Sequence, residues 1–169
     1  IYGEIGTAAH SYAIEFGISF IDTNLEEGPI SNLTLSTMKY NYAIFLFSKP
    51  IHATNVVLEL STDSGSTWSN AETEVPLDAN SATTKAINLT ELTTYKFRLV
   101  VTGGEKAGIS NEIERTTPAI IYSPESDFIF DASTKTITGY TGSDEEIIIP
   151  PTIGGIAVKV IGIEAFYFT

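Results

Sequence analysis

The chain has 169 residues, a mass of 18.3 kDa and a formal net charge of −12 at neutral pH. This length allows one well-buried domain or two small ones and is too short for a propeller of four-stranded blades. The negative field disfavours nucleic acids and anionic membranes, so nucleic-acid binding is excluded. The absence of cysteine excludes thiol catalysis, disulfides and cysteine-based zinc sites.

The first segment, residues 1–28, predicts a strand followed by a linker. Large apolar residues alternate with small or polar ones from Tyr12 to Phe20, which places five of them on one face of a strand at 12–21. This strand is either the first of the following domain or the tail of a preceding one. No convincing amphipathic helix is predicted in the first 120 residues, and the adjacent acidic pair Glu26 and Glu27 is typical of a linker.

The next segment, residues 29–117, predicts about seven short strands separated by turns. Three of them show alternating apolar residues: Tyr42, Ile44 and Leu46, then Val56, Leu58 and Leu60, then Tyr95, Phe97, Leu99 and Val101. Turn-forming runs lie at 48–51, 63–66, 76–81 and 102–108. Because a single sheet would leave one face of every strand exposed, we expect an antiparallel sandwich of two sheets packed face to face.

Residues 61–68, STDSGSTW, fit the Asp-box pattern S/T-x-D-x-G-x-T-W/F of sialidase-type propellers. In this pattern Asp63 accepts hydrogen bonds from its own turn and Gly65 supplies the positive φ of a tight hairpin. The catalytic interpretation is disfavoured because the motif occurs once and the chain holds only two arginines, Arg98 and Arg115, where a sialidase site needs three; a decayed propeller blade is a weaker alternative. We interpret the motif as the hairpin between the third and fourth strands, with Trp68 covering a face of the sheet.

The stretch ELTTYKFRLVVTGGEKAGISNEIERTTP resembles the last two strands of a fibronectin type III domain. In that family a Leu-x-x-Tyr corner precedes the sixth strand, and Leu92 and Tyr95 occupy the matching positions. The resemblance implies a fibronectin-III-like or immunoglobulin-like sandwich over 29–117, with the hydroxyl of Tyr95 bonded to nearby backbone. One departure is that the family usually places a tryptophan on the second strand, whereas the only tryptophan here is Trp68.

After a linker at 118–126, residues 127–169 resemble the amino-terminal start of BspA-type leucine-rich repeats, with the pattern ITGYTGSD…VVIP…GGxPVxxIGxxAF. The matching positions are Ile137 to Asp144, Ile148 to Pro150, Gly154, Gly155, Ile161, Gly162, Ala165 and Phe166. The stretch predicts a β-hairpin (FIF, then TITGY), a strand EEIIIP at 145–150 and a strand AVKVI at 157–161 that begins the solenoid.

A leucine-rich-repeat solenoid needs about three or more repeats for stability. The sequence includes only the start of the first repeat, so we expect 127–169 to be a truncated N-terminal cap. In such a cap Phe166 and Phe168 would lack the support of a following repeat. The chain begins at Ile1 without a methionine or a signal peptide, and we expect it to be a piece of a longer protein.

Candidate sites are few. No catalytic triad order, nucleophile elbow, phosphate loop or dinucleotide fingerprint is present. His10 and His52 have no neighbouring ligands, and the acidic run at 144–146 lacks the spacing of a calcium loop, so neither a metal nor a cofactor is expected. Four aromatic residues are the candidate ligand-stacking surface, although tyrosines in β proteins more often cover sheet edges. They are Trp68, Tyr122, Tyr140 and Tyr167.

The two resemblances together imply a function. They predict a non-catalytic, extracellular module of a bacterial cell-surface protein that acts as a spacer and adhesion region. The expected partner is a host matrix or cell-surface protein, or a glycan, bound by a monomer. The alternative is an accessory module of a secreted carbohydrate-active enzyme. No stretch reaches the 18 apolar residues of a membrane span, so insertion of this segment in a membrane is not expected.

Overall fold

The computed structural model describes residues 1–3, 5–19, 21–22 and 28–167. The chain divides into two compact units, Ile1–Ala119 and Ile120–Thr169. Strands form most of the regular structure, and 7% of the chain is helical. The all-β class predicted from the sequence is therefore confirmed.

The first unit opens with a strand, a helix and a strand. These are β1 (Tyr2–Gly3), α1 (Ala8–Glu15) and β2 (Ile21–Asp22). β1 and β2 pair in parallel as a two-stranded sheet of their own. The sandwich therefore begins with a later strand.

The helix α1 shows that the prediction of a strand at 12–21 is wrong, because Tyr12 to Glu15 are helical. Thr7 has extended backbone and is followed by Ala8 and Ala9, and alanine has the highest helix propensity. The rings of Tyr12 and Phe16, which are four positions apart, lie 4.5 Å from each other. Residues four apart share one face of a helix, which brings Tyr12 and Phe16 together here although their spacing also fits one face of a strand. Phe20, Glu26 and Glu27 lie outside the described residues.

Eight short strands form the rest of the first unit. They are β3 (Thr34–Met38), β4 (Ala43–Leu46), β5 (Asn55–Ser61), β6 (Ser69–Asn70), β7 (Thr83–Ala86), β8 (Thr94–Thr102), β9 (Gly108–Ile109) and β10 (Ile113–Thr116). One sheet has the order β3-β4-β7 and the other β10-β8-β5-β6, with β9 also paired to β8. All of these pairs are antiparallel. About seven strands were expected, and the difference is that the last strand is interrupted between β9 and β10.

The two sheets share one apolar core. Phe45 of β4 and Phe97 of β8 are both fully buried, and their ring centroids lie 4.7 Å apart across the sandwich. The predicted inward faces of β5 and β8 are confirmed by their buried side chains. These are Val56 and Leu58 on β5, and Tyr95, Phe97, Leu99 and Val101 on β8. The predicted face of β4 is wrong: Ala43 and Phe45 point inward, and Ile44 and Leu46 do not.

Over residues 120–167, the second unit contains a 3-10 turn and five strands. They are the turn Glu125–Asp127, β11 (Phe128–Asp131), β12 (Thr136–Tyr140), β13 (Thr152–Ile153), β14 (Ile156–Ala157) and β15 (Val160–Ile161). The predicted hairpin is confirmed as the antiparallel pair β11 and β12. β15 pairs in parallel with the other edge of β12, and β13 pairs with β14.

Two predicted strands of this unit are wrong. Residues 145–150 form no strand, because both backbone hydrogen bonds of Ile148 go to a single residue, Ser123, rather than to a neighbouring strand. The stretch 157–161 is not one strand but the end of β14 and all of β15. Between them Val158 N donates to Pro151 O and Lys159 N donates to Lys135 O, so the backbone changes partner.

The core of the second unit consists of Phe128, Ile137, Tyr140 and Ala165. Phe166 packs against this core, with its ring centroid 5.8 Å from that of Tyr140. The expectation that Phe166 is unsupported is therefore wrong, and Phe168 lies outside the described residues.

Candidate functional site

The loop between β5 and β6 carries the Asp-box residues. Thr67 donates to both carboxylate oxygens of Asp63, from its amide at 2.8 Å and from its hydroxyl at 2.6 Å. The hydroxyl of Ser61 donates to the same carboxylate at 2.7 Å. These bonds, led by the Thr67 hydroxyl, lower the pKa of Asp63 to about 2. The carboxylate is therefore ionised at neutral pH and engaged by its own loop.

Gly65 and Trp68 complete this loop. Gly65 has φ +91°, and its amide donates to Ser61 Oγ at 2.9 Å. The indole Nε1 of Trp68 donates to Gly65 O at 3.0 Å. Every hydrogen bond that the loop makes through these side chains ends within 61–68, so the arrangement fixes a turn and presents no paired catalytic groups.

Trp68 lies half-buried over the sheet face that points away from the core. The guanidinium of Arg98 lies 3.9 Å from the centroid of its ring. Arg98 is held in turn by Glu59, its cross-strand neighbour, whose Oε2 accepts from Nε at 2.8 Å. One face of the indole is therefore occupied by a fixed side chain and is closed to a flat ligand.

The second sequence motif, the tyrosine corner, lies before and at the start of β8. Tyr95 is 6% exposed, and its hydroxyl accepts a hydrogen bond from Thr90 N at 2.9 Å. The side chain of Leu92 is exposed, and its backbone takes a positive φ of 53° while its amide donates to Thr117 O. The corner is thus a backbone clamp, by which we mean that the buried hydroxyl of Tyr95 holds the loop that precedes β8 through the amide of Thr90.

Thr117 is a member of this clamp that sequence analysis missed. It is 1% exposed, its hydroxyl donates to Thr90 O at 2.6 Å, and the same oxygen accepts from Thr93 N at 3.0 Å. The Thr-Pro run that contains it marks the end of a domain in the sequence but does not reveal a partner more than 20 positions away.

The three tyrosines of the candidate stacking surface lie in the second unit, whereas Trp68 lies in the first. Tyr122 and Tyr167 are exposed. The prediction that Tyr140 is an exposed ligand residue is wrong, because its ring packs between Phe128 at 5.0 Å and Phe166. The cause is a bulge at Thr138 of β12, which turns both Ile137 and Tyr140 inward although they are three positions apart.

The histidines do not form a metal site. His10 Nδ1 accepts from Gly6 N at 3.1 Å, and His52 Nδ1 lies 3.0 Å from Glu105 Oε1. The contact with His52 lowers the pKa of Glu105. Across the described ranges, no three or more histidine, cysteine or acidic side chains are placed to hold a metal ion. Within the same ranges no helix has the length and apolar character needed to cross a membrane.

The edge of the second unit at β15 (Val160–Ile161) lies where the sequence predicts the start of a solenoid. Ile161 lies beside Ile137 in the parallel ladder, yet Ile137 is fully buried and Ile161 is 55% exposed. Ile163, two positions later, is 95% exposed. In the part of the chain that the structure describes, β15 pairs only with β12. The apolar core face therefore continues to an open edge.

Comparison with known proteins gives structural similarities. The FN1–FN3 domains of chicken CNTN1 align with 54% of this chain at 19% identity and a TM-score of 0.47. A crystal structure of titin domains aligns with 60% at 15% identity and a TM-score of 0.44, and a myokine structure with 55% at 13% and 0.43. The CNTN1 and titin structures consist of fibronectin III or immunoglobulin-like domains, and this chain spans 31% and 35% of their respective lengths.

No protein-family model matches this sequence, and no curated protein matches it either. The identification of the first unit as a β-sandwich therefore rests on its own strand order, pairing and shared core.

Proposed function

We propose that this chain is a non-catalytic module of a bacterial cell-surface protein. In this proposal the sandwich is a spacer, and the second unit begins a BspA-type leucine-rich-repeat solenoid that binds a host matrix or cell-surface protein. The observation that carries the proposal is the open apolar edge of the second unit at β15.

The geometry of this edge supports a solenoid. β12 and β15 are parallel, and the paired residues Thr136 and Val160 are 24 positions apart in the sequence. Leucine-rich repeats have periods of 20–29 residues and stack one strand per repeat in parallel. A further parallel strand beside β15 would bury Ile161 in the way that β15 and its neighbours bury Ile137. The sequence match to the BspA-type pattern covers the same residues.

A spacer role for the sandwich is supported by its polar side chains, because those of the two motifs and of the sheet face bind other residues of the sandwich. The Asp-box loop satisfies Asp63, the corner hydroxyl of Tyr95 holds Thr90, and Arg98 is engaged by Glu59 and Trp68. These residues stabilise turns and a sheet face. Their arrangement provides no nucleophile, general base or charged cleft for catalysis.

The alternative, an accessory sugar-binding module, depends on a free aromatic face. Arg98, which Glu59 holds, covers one face of Trp68, so only the opposite face could receive a sugar, and in our proposal it receives none. We therefore expect flat Trp68 fluorescence when the chain is titrated with a broad glycan panel. Saturable quenching that disappears in a Trp68→Phe variant would instead support the sugar-binding alternative.

The proposed function can be tested by display on a non-adherent bacterium. The 169-residue chain, fused through Thr169 to BspA-type repeats, is expected to increase attachment to surfaces coated with host matrix proteins. The matched control displays the same repeats without the 169 residues. Equal attachment of the two strains would refute the spacer role, and no attachment of either strain to any matrix protein or host cell would refute adhesion.

A further inference from the structure

We draw no further inference here: the strongest candidate, the open groove of about 500 Å³ beside β7 that Ile44, Val75, Pro76 and Leu77 line in part, is an unpartnered apolar surface, and nothing in the described part of the chain shows what covers it.

Discussion

Replacing Tyr95 with phenylalanine removes one oxygen and leaves the core ring in place. The hydroxyl accepts from Thr90 N at 2.9 Å in a partly buried site, and the ring stacks on Phe97 at 5.7 Å. In the variant the amide of Thr90 loses its acceptor while the packing on Phe97 remains. A buried donor left without a partner costs about 1–3 kcal/mol. Because Thr90 itself is exposed, we expect the lower part of that range, about 1–2 kcal/mol.

Urea unfolding monitored by tryptophan fluorescence measures this loss. Trp68 is the only tryptophan and lies in the sandwich, so its signal reports the unfolding of that unit. We expect the Tyr95→Phe variant to have a lower urea midpoint with an unchanged slope. For a domain of this size a loss of 1 kcal/mol corresponds to about 4–8 °C in Tm.

Tyr42→Phe is the matched control for this experiment. Tyr42 is in the same unit, and its ring keeps the contact with Lys85 Nζ at 4.7 Å when the hydroxyl is removed. We expect a change within about 0.5 kcal/mol. Thr117→Val removes the other hydroxyl that holds Thr90, so its effect should not add to that of Tyr95→Phe. Equal midpoints for the two tyrosine variants would refute the reasoning.

Three further predictions concern single features. The Thr84 hydroxyl is buried and has no hydrogen-bond partner among the described residues, so Thr84→Val should raise the free energy of unfolding by about 1 kcal/mol and with it the urea midpoint, and a lower midpoint would contradict this. The stabilisation of the hairpin by ionised Asp63 should be complete above about pH 3.8 and lost as the pH falls through about 2. The chemical shift of the Thr67 amide, followed by NMR, should therefore titrate with a midpoint near pH 2, and a midpoint near 3.8 would be inconsistent with the hydrogen bonds to Asp63. Removal of residues 1–27 should leave the Trp68 transition unchanged, because β1 and β2 form a separate sheet, whereas a lower midpoint would place this segment in the sandwich.

Sequence reasoning succeeded where the signal is local and strongly patterned. The inward faces of β5 and β8 follow from alternation with charged residues such as Lys96 and Arg98, which cannot face a core. The loop at 61–68 follows from a motif whose hydrogen bonds span four residues or fewer. The hydrogen-bond partners of such a motif lie within the motif itself, so its structure can be predicted without knowledge of the rest of the fold.

Sequence reasoning failed where contacts between residues far apart in the sequence determine which way a side chain points. The segment YAIFLF is apolar at every position, so its alternation fits either face, and the contact between Phe45 and Phe97 selects the inward one. The bulge that buries Tyr140 depends on pairing with β11. Thr117 acquires its role from loop residues 24 and 27 positions away. None of these contacts is visible in a single strand.

The most direct test of the account concerns the edge at β15. The full chain is fused through Thr169 to BspA-type repeats that lack their own N-terminal cap, and thermal unfolding of the repeats is followed by circular dichroism. We expect the fusion to unfold at a higher temperature than the uncapped repeats, and an Ile161→Lys variant to lose most of this gain, because its charge would be buried in the new contact. A melting temperature equal to that of the uncapped repeats, and unaffected by Ile161→Lys, would contradict the proposal that the second unit begins a solenoid.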